Sequence, residues 1–216
     1  MSARENILQR IRAQSGRQGE TNDAERAAAR EHIAKHARSP LPSIAQGDPV
    51  TGFIAECARV KTSVEQVASL QAVPQAAARY LSENALQMHA VGWSALASLD
   101  WQGAGIDFED RLANKDDLVG ITDCFCAIGE TGTLLLLSSP TTPKLHALLP
   151  ETHICVVSRA RIVTCMEDAF GLLRKERGEL PRATFFVSGP SRTADIEQTI
   201  VIGAHGPYRV HVLLVP

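Results

Sequence analysis

The sequence predicts an α/β fold of three layers, in which a mostly parallel sheet is covered on both faces. Three observations predict it. Strand-like stretches alternate with stretches of helical period from about residue 49 to the end. Several of the former, "LVGITDCFCAI", "HICVVS" and "RVHVLLVP" among them, are near-continuous apolar runs, the pattern of strands buried on both faces. The 216 residues are enough for one such domain with an added segment.

The elements follow in order. Ser2 with Glu5 forms a capping-box pattern, and Ile7, Leu8 and Ile11 then recur at helical spacing. "SGRQGETND" reads as a linker, and "AERAAAREHIAKHA" as a second helix whose one large apolar residue is Ile33. Residues 1–38 are therefore expected to form a helical arm that docks on the body or on a second subunit, with 39–216 as the α/β domain. Asp48 and Pro49 carry the N-cap and first-turn chemistry of a helix through "VTGFIAECAR". "VKTSVEQVAS" is strand-like, "AVPQAAARYLSENA" helical and "LQMHAVG" a short strand, after which residues 93–117 read as irregular. "LVGITDCFCAI" and "TLLLLSS" flank a glycine-bearing turn and predict a hairpin. "HICVVS", "ATFFVSG", "TIVIGAHG" and "RVHVLLVP" predict further strands, with a helix at "VTCMEDAFGLLRKERGE" between the first two.

Composition narrows the function. A net charge of -2 gives no field to recruit nucleic acid. No run approaches the roughly twenty apolar residues that span a bilayer, and "MSARENILQRIRAQ" lacks the apolar core of a secretory signal, so a cytoplasmic protein is expected. The five cysteines form no C-x-x-C pair, and of the seven histidines only His32 and His36 share a helical face, without an accompanying acid. Neither a bound metal nor a cofactor is expected.

Three polar turns are candidates for chemistry. The first, "SGPSRT", follows the strand "TFFV", and "ADIEQTI" is expected to begin a helix there. The first-turn N–H groups of that helix, with Ser191, Arg192 and Thr193, would receive an anion. Asp195 and Glu197 already bring negative charge to that turn, so the stretch reads either as a ligand site or as a plain capped turn. The second turn is "GETGT", where Glu130 has the chemistry of a general base or nucleophile and also of an ordinary turn acid. The third is "GAHGP", whose glycines let the backbone bring His205 close to a ligand or to another segment. Asp123 stands apart. It interrupts an apolar run, and a buried carboxylate either pairs or faces a cleft.

Taken together, "AIGETGTLLL", "LLPETHICVV", "SGPSRTADIE" and "GAHGPYRVHVLLV" resemble the LutC/YkgG family of lactate-utilisation proteins, from about Phe53 to the C-terminus. The resemblance implies a NagB/RpiA/CoA-transferase-like fold. It also implies a part in oxidising L-lactate to pyruvate beside partner proteins that carry iron–sulfur clusters, with this chain as the non-redox subunit. Two departures from the family pattern stand out: Tyr208 separates Pro207 from Arg209, and Lys144 and His146 occupy a segment where relatives place an arginine. With the resemblance, the three turns are expected to share one cleft for a small carboxylate or phosphorylated metabolite. Glu130 and His205 would be its catalytic pair, and Thr131, Gly132, Thr133, Gly189, Pro190, Ser191, Arg192, Thr193 and Asp195 its binding residues. Kinship with that fold leaves two alternatives open: a free-standing isomerase- or transferase-like enzyme acting on a sugar phosphate or CoA ester, and a metabolite-binding regulator.

Overall fold

The computed structural model describes residues 2–16, 21–38, 47–194 and 198–216. The chain divides into two compact units, Met1–Ser43 and Ile44–Pro216. The first holds α1 (Ala3–Gln14) and α2 (Asp23–Lys35), each opened by a reciprocal capping box, Ser2 with Glu5 and Asn22 with Glu25. These boxes satisfy N–H groups that a helix start leaves without partners. Ile7, Leu8, Ile11 and Ile33 are exposed.

In the second unit, α3 (Pro49–Arg59) starts where expected, with the Asp48 carboxylate accepting from the Thr51 N–H at 3.0 Å. There follow β1 (Ser63–Gln66), α4 (Val73–Glu83), β2 (His89–Gly92), β3 (Asp107–Glu109), β4 (Val119–Asp123), β5 (Cys126–Ile128), β6 (Thr133–Leu137) and α5 (Leu145–Leu148). The remaining elements are β7 (Thr152–Ser158), β8 (Ile162–Val163), α6 (Met166–Arg177), β9 (Thr184–Val187), β10 (Arg192–Thr193), β11 (Val201–Ile202) and β12 (Arg209–Val215). No helix among the described residues is long and apolar enough to cross a membrane.

Six strands form a sheet in the order β1-β12-β7-β4-β2-β3, and every pairing in it is parallel. Alternation along its central strands builds the core. On one face Ile121, Ile154, Val156, Leu213 and Val215 pack on Val73, Ala76, Ala77 and Leu81 of α4. On the other, Cys155, Val157, Val210, Val212 and Leu214 meet Phe53 and Cys57 of α3 together with Ala127, Leu134 and Leu136. Those last three belong to a second, mixed sheet ordered β8-β5-β6-β9, whose outer face, Cys126, Ile128 and Leu135, is sealed by Ala169 and Leu173 of α6. The mixed α/β class and its mostly parallel central sheet are those expected, and the cover on one side is itself partly a sheet.

Two local expectations are corrected. The run "LVGITDCFCAI" is not one strand: β4 lies in the large sheet and β5 in the small one, so only β5 and β6 form the hairpin. Cys124 and Cys126 accordingly fall in different cores, although their spacing predicts one strand face. The helix expected at "ADIEQTI" runs through residues that lie outside those described. Arg192–Thr193 pairs antiparallel with Val201–Ile202 as a short ribbon, and Gln198 turns with φ 57°. Residues 195–197, and with them Asp195 and Glu197, lie outside the described residues. In the stretch read as irregular, Asp107–Glu109 adds an edge strand too short and too polar to announce itself.

Candidate functional site

Open parallel sheets hold ligands beyond the carboxyl ends of their strands, because the connections that follow diverge there. In this protein β4 ends at Asp123, β7 at Ser158 and β12 at Val215. A cavity of about 690 Å³ opens at these ends, lined among others by Asp123, Cys124, Ser158, Arg161 and Pro216. A second, of about 570 Å³, shares Asp123, Cys124 and Arg161 and adds Trp93 and the Ser138–Ser139 and Thr141–Thr142 hydroxyls. A further cavity, about 800 Å³, is lined in part by Asp100, Asp107 and Asp110, an acidic wall that would repel an anion.

Asp123 is the residue that sets the carboxyl edge apart. It lies on β4 in register with Val156 of β7, and among the described residues it has no hydrogen bond or ion pair. Burial pushes its carboxyl up to about 6. A carboxyl in that range exchanges a proton near neutral pH, the property general acid–base chemistry requires. Beside it, Arg161 is held rigidly. Its Nε donates to the Phe125 carbonyl at 2.8 Å, its two terminal nitrogens reach Glu176 at 2.6 and 3.0 Å, and its guanidinium lies 4.7 Å from the centre of the Phe125 ring. Hydrogen bonding with Cys155, then burial, raises the Cys124 thiol well above its usual range, which makes it a lining group and not a nucleophile.

The three polar turns gather elsewhere, around the end of α3 and the amino ends of β1 and β12. From "GETGT", the Thr131 and Thr133 hydroxyls are 2.7 Å apart, and Thr133 reaches the Ser188 hydroxyl at 2.6 Å. Gly132 takes φ 61°, and a Cβ there would stand 2.7 Å from the Cys57 nitrogen. In "SGPSRT", Gly189 takes φ 83°, and a Cβ on it would stand 2.1 Å from the Val60 carbonyl, so glycine is required twice over. The Ser191 N–H donates to the Pro207 carbonyl, and its own carbonyl accepts from the Gly203 N–H, both at 2.9 Å. The turns "SGPSRT" and "GAHGP" are thus tied together through the backbone. Arg192 donates to the Val60 carbonyl at 3.1 Å, Thr193 is taken up in the ribbon, and His205 is exposed. Glu130 has a structural partner: its carboxylate accepts from the Met166 N–H at 3.0 Å, at the start of α6. A cavity of about 530 Å³ reaches this edge, with Pro190 and Arg192 in its wall but neither Glu130 nor His205.

One group has metal-ligand chemistry. The ligand atoms of His89, Asp107 and Glu109 lie within 4.8 Å of one another. Glu109 is already held by His89 at 3.1 Å and by Arg111, whose fork also grips Asp117, so two of the three groups are engaged within the protein. Sequence spacing does not show it because β2 and β3 become neighbours only through their pairing.

Fold and cleft together define a mixed α/β protein built on a covered parallel sheet with its open cleft at the carboxyl edge. Residues 50–215 match the LUD domain, and the chain belongs to the LUD domain family. Among curated proteins it is 29% identical over 224 aligned positions to Lactate utilization protein C of Exiguobacterium sp., covering 98% of this chain and 95% of that one. It is 32% identical over 136 to Lactate utilization protein C of Bacillus subtilis, covering 57% of each. Apart from the Exiguobacterium protein, the matches span about half the length of these relatives. A crystal structure of a DUF162 family protein from Deinococcus radiodurans superposes with a TM-score of 0.62 at 22% identity, covering 80% of this chain and 99% of that one, which shows a shared fold.

Proposed function

We propose that this chain serves lactate utilisation as a non-redox subunit, holding lactate or pyruvate in the carboxyl-edge cleft while iron–sulfur partner proteins carry the electrons. The carrying observation is the match along nearly the whole chain to a protein named Lactate utilization protein C. Oxidising lactate to pyruvate releases two electrons and two protons. The electrons go to the partners, since this chain's five cysteines lack the spacing of a cluster ligand set. Both protons leave with the electrons, to the partners and solvent, and Asp123, protonated beside the bound anion, donates a hydrogen bond to a substrate oxygen. Ser158 and the hydroxyls near Trp93 orient the substrate.

The test is calorimetric titration of the full chain with L-lactate and pyruvate, together with co-purification from cells that also express candidate iron–sulfur partner proteins. An anion beside Asp123 favours its protonated form, so binding is expected to take up protons and to weaken as pH rises above about 6. Asp123→Asn should remove that pH dependence. Turnover of lactate without any partner would overturn the non-redox assignment, and pH-independent binding in the unaltered chain would overturn the role of Asp123.

A further inference from the structure

The geometry points to a second ligand site, at the amino edge of the parallel sheet, that takes a phosphoryl group: Lys61, Arg192 and Arg209 line one cavity of about 530 Å³ with Tyr80, Ser63 and His211. It is separate from the carboxyl-edge cleft and does not depend on the lactate reading. Among the described residues none of the three cations has an acidic partner. Among the described residues two acids share the wall. Glu65 is neutralised by its ion pair with Arg79, which leaves Glu83 against three positive charges and a surplus of two. That surplus matches a phosphate dianion, and guanidinium groups suit its oxygens.

Local structure supports the same assignment. Lys61 follows the C-cap of α3 with φ 67°, a left-handed conformation that glycine or asparagine adopts at lower cost. A lysine there places a cation at the cavity in spite of the backbone strain. The negative end of α3 lies close by, but its carbonyls are used: Ala58 by the Lys61 N–H, Cys57 by the Thr62 N–H and Val60 by Arg192. Arg209 lies over the Tyr208 ring at 4.9 Å, the tyrosine that separates it from Pro207.

The inner wall is ordered. Tyr80 and His211 stack with ring centres 3.9 Å apart and planes 10° from parallel. The Ser63 hydroxyl bonds to His211 Nδ1 at 2.8 Å and also contacts the Tyr80 hydroxyl. Burial pulls the imidazole down to about 4, so it stays neutral and adds no fourth charge. Its role is to position Ser63 and Tyr80: with Nδ1–H donating to Ser63, one hydroxyl hydrogen of the pair is left for a bound oxyanion.

The test is calorimetric titration of the full chain with sn-glycerol 3-phosphate, inorganic phosphate and glycerol. Saturable binding of the first two and none of glycerol is expected, with affinity falling as NaCl is added. Arg209→Gln and Arg192→Gln should each weaken binding by about tenfold. Far-UV circular dichroism and the melting temperature check that both variants are folded. Lactate should not compete, which separates this site from the carboxyl-edge cleft. The assignment fails if neither phosphate compound binds up to about 5 mM, if glycerol binds as tightly as its phosphate, or if both folded arginine variants retain full affinity.

Discussion

The two edges of the parallel sheet use polar residues in opposite ways. At the amino edge, glycines, serines and threonines from three distant turns bond chiefly to one another and to the end of α3: Thr133 to Ser188, Ser191 to Pro207 and Gly203, and Gly189 against Val60. At the carboxyl edge a single aspartate, Asp123, has no partner among the described residues and faces open volume. The difference teaches that density of polar residues along a chain is a poor guide to reactivity. What counts is hydrogen-bonding capacity left over after folding, and the turn richest in hydroxyls has spent most of its own.

The comparison can be broken first at Gly189. Alanine there would need both a left-handed backbone and a Cβ inside the contact distance of the Val60 carbonyl. A loss of about 3 kcal/mol or more is expected in urea unfolding, from backbone strain and the close contact together. A loss under about 1 kcal/mol would mean that the amino edge is loosely joined.

Asp123→Asn sharpens the other side, with the opposite sign. Its carboxyl is raised from the ordinary aspartate range near 4 to about 6, so the folded state holds the proton more tightly than the unfolded one. The stability this confers is complete below about pH 4 and is lost as pH rises through about 6. Replacing the residue with neutral asparagine should therefore stabilise the protein by about 3 kcal/mol at pH 8, with the gain vanishing below about pH 4. Equal unfolding midpoints at pH 8 would mean that the carboxylate is better solvated than its burial indicates.

Smaller effects follow at the amino edge. Thr133→Val removes the central hydroxyl of the Thr131, Thr133 and Ser188 line and should cost about 1–2 kcal/mol. Smallest is the pair of changes at Glu130. Glu130→Gln keeps an oxygen to accept from the Met166 N–H and should leave stability nearly unchanged, while Glu130→Ala should cost about 1 kcal/mol at the start of α6. A loss of lactate binding in Glu130→Gln, with stability intact, would return that residue to the chemistry.

Much of the architecture was legible in local pattern. Apolar periodicity, the Asp48–Pro49 start of α3 and the Ser2–Glu5 box all report on neighbours within a turn of helix, and the structure keeps them. The split of "LVGITDCFCAI" was not legible, because a strand that ends and one that moves to another sheet carry the same apolar residues. The pairing of Arg192–Thr193 with Val201–Ile202 was not legible either, because strands of two residues are too short to show an alternation. The candidate site was half legible. Asp123 was visible as a break in an apolar run, but whether it pairs depends on what β7 and the short turn of helix at Arg159–Arg161 bring beside it.

By itself the sequence determined the class of fold, the order of most elements and the places where glycine and proline punctuate them, because each follows from backbone preference and short-range burial. Only the tertiary structure decided which polar groups were consumed and which were left over. That outcome depends on partners some seventy to a hundred and thirty residues away, such as Cys57 for Gly132 and Val60 for Arg192. Hydrogen bonding saturates, so a residue's spare capacity is known only once all its neighbours are in place.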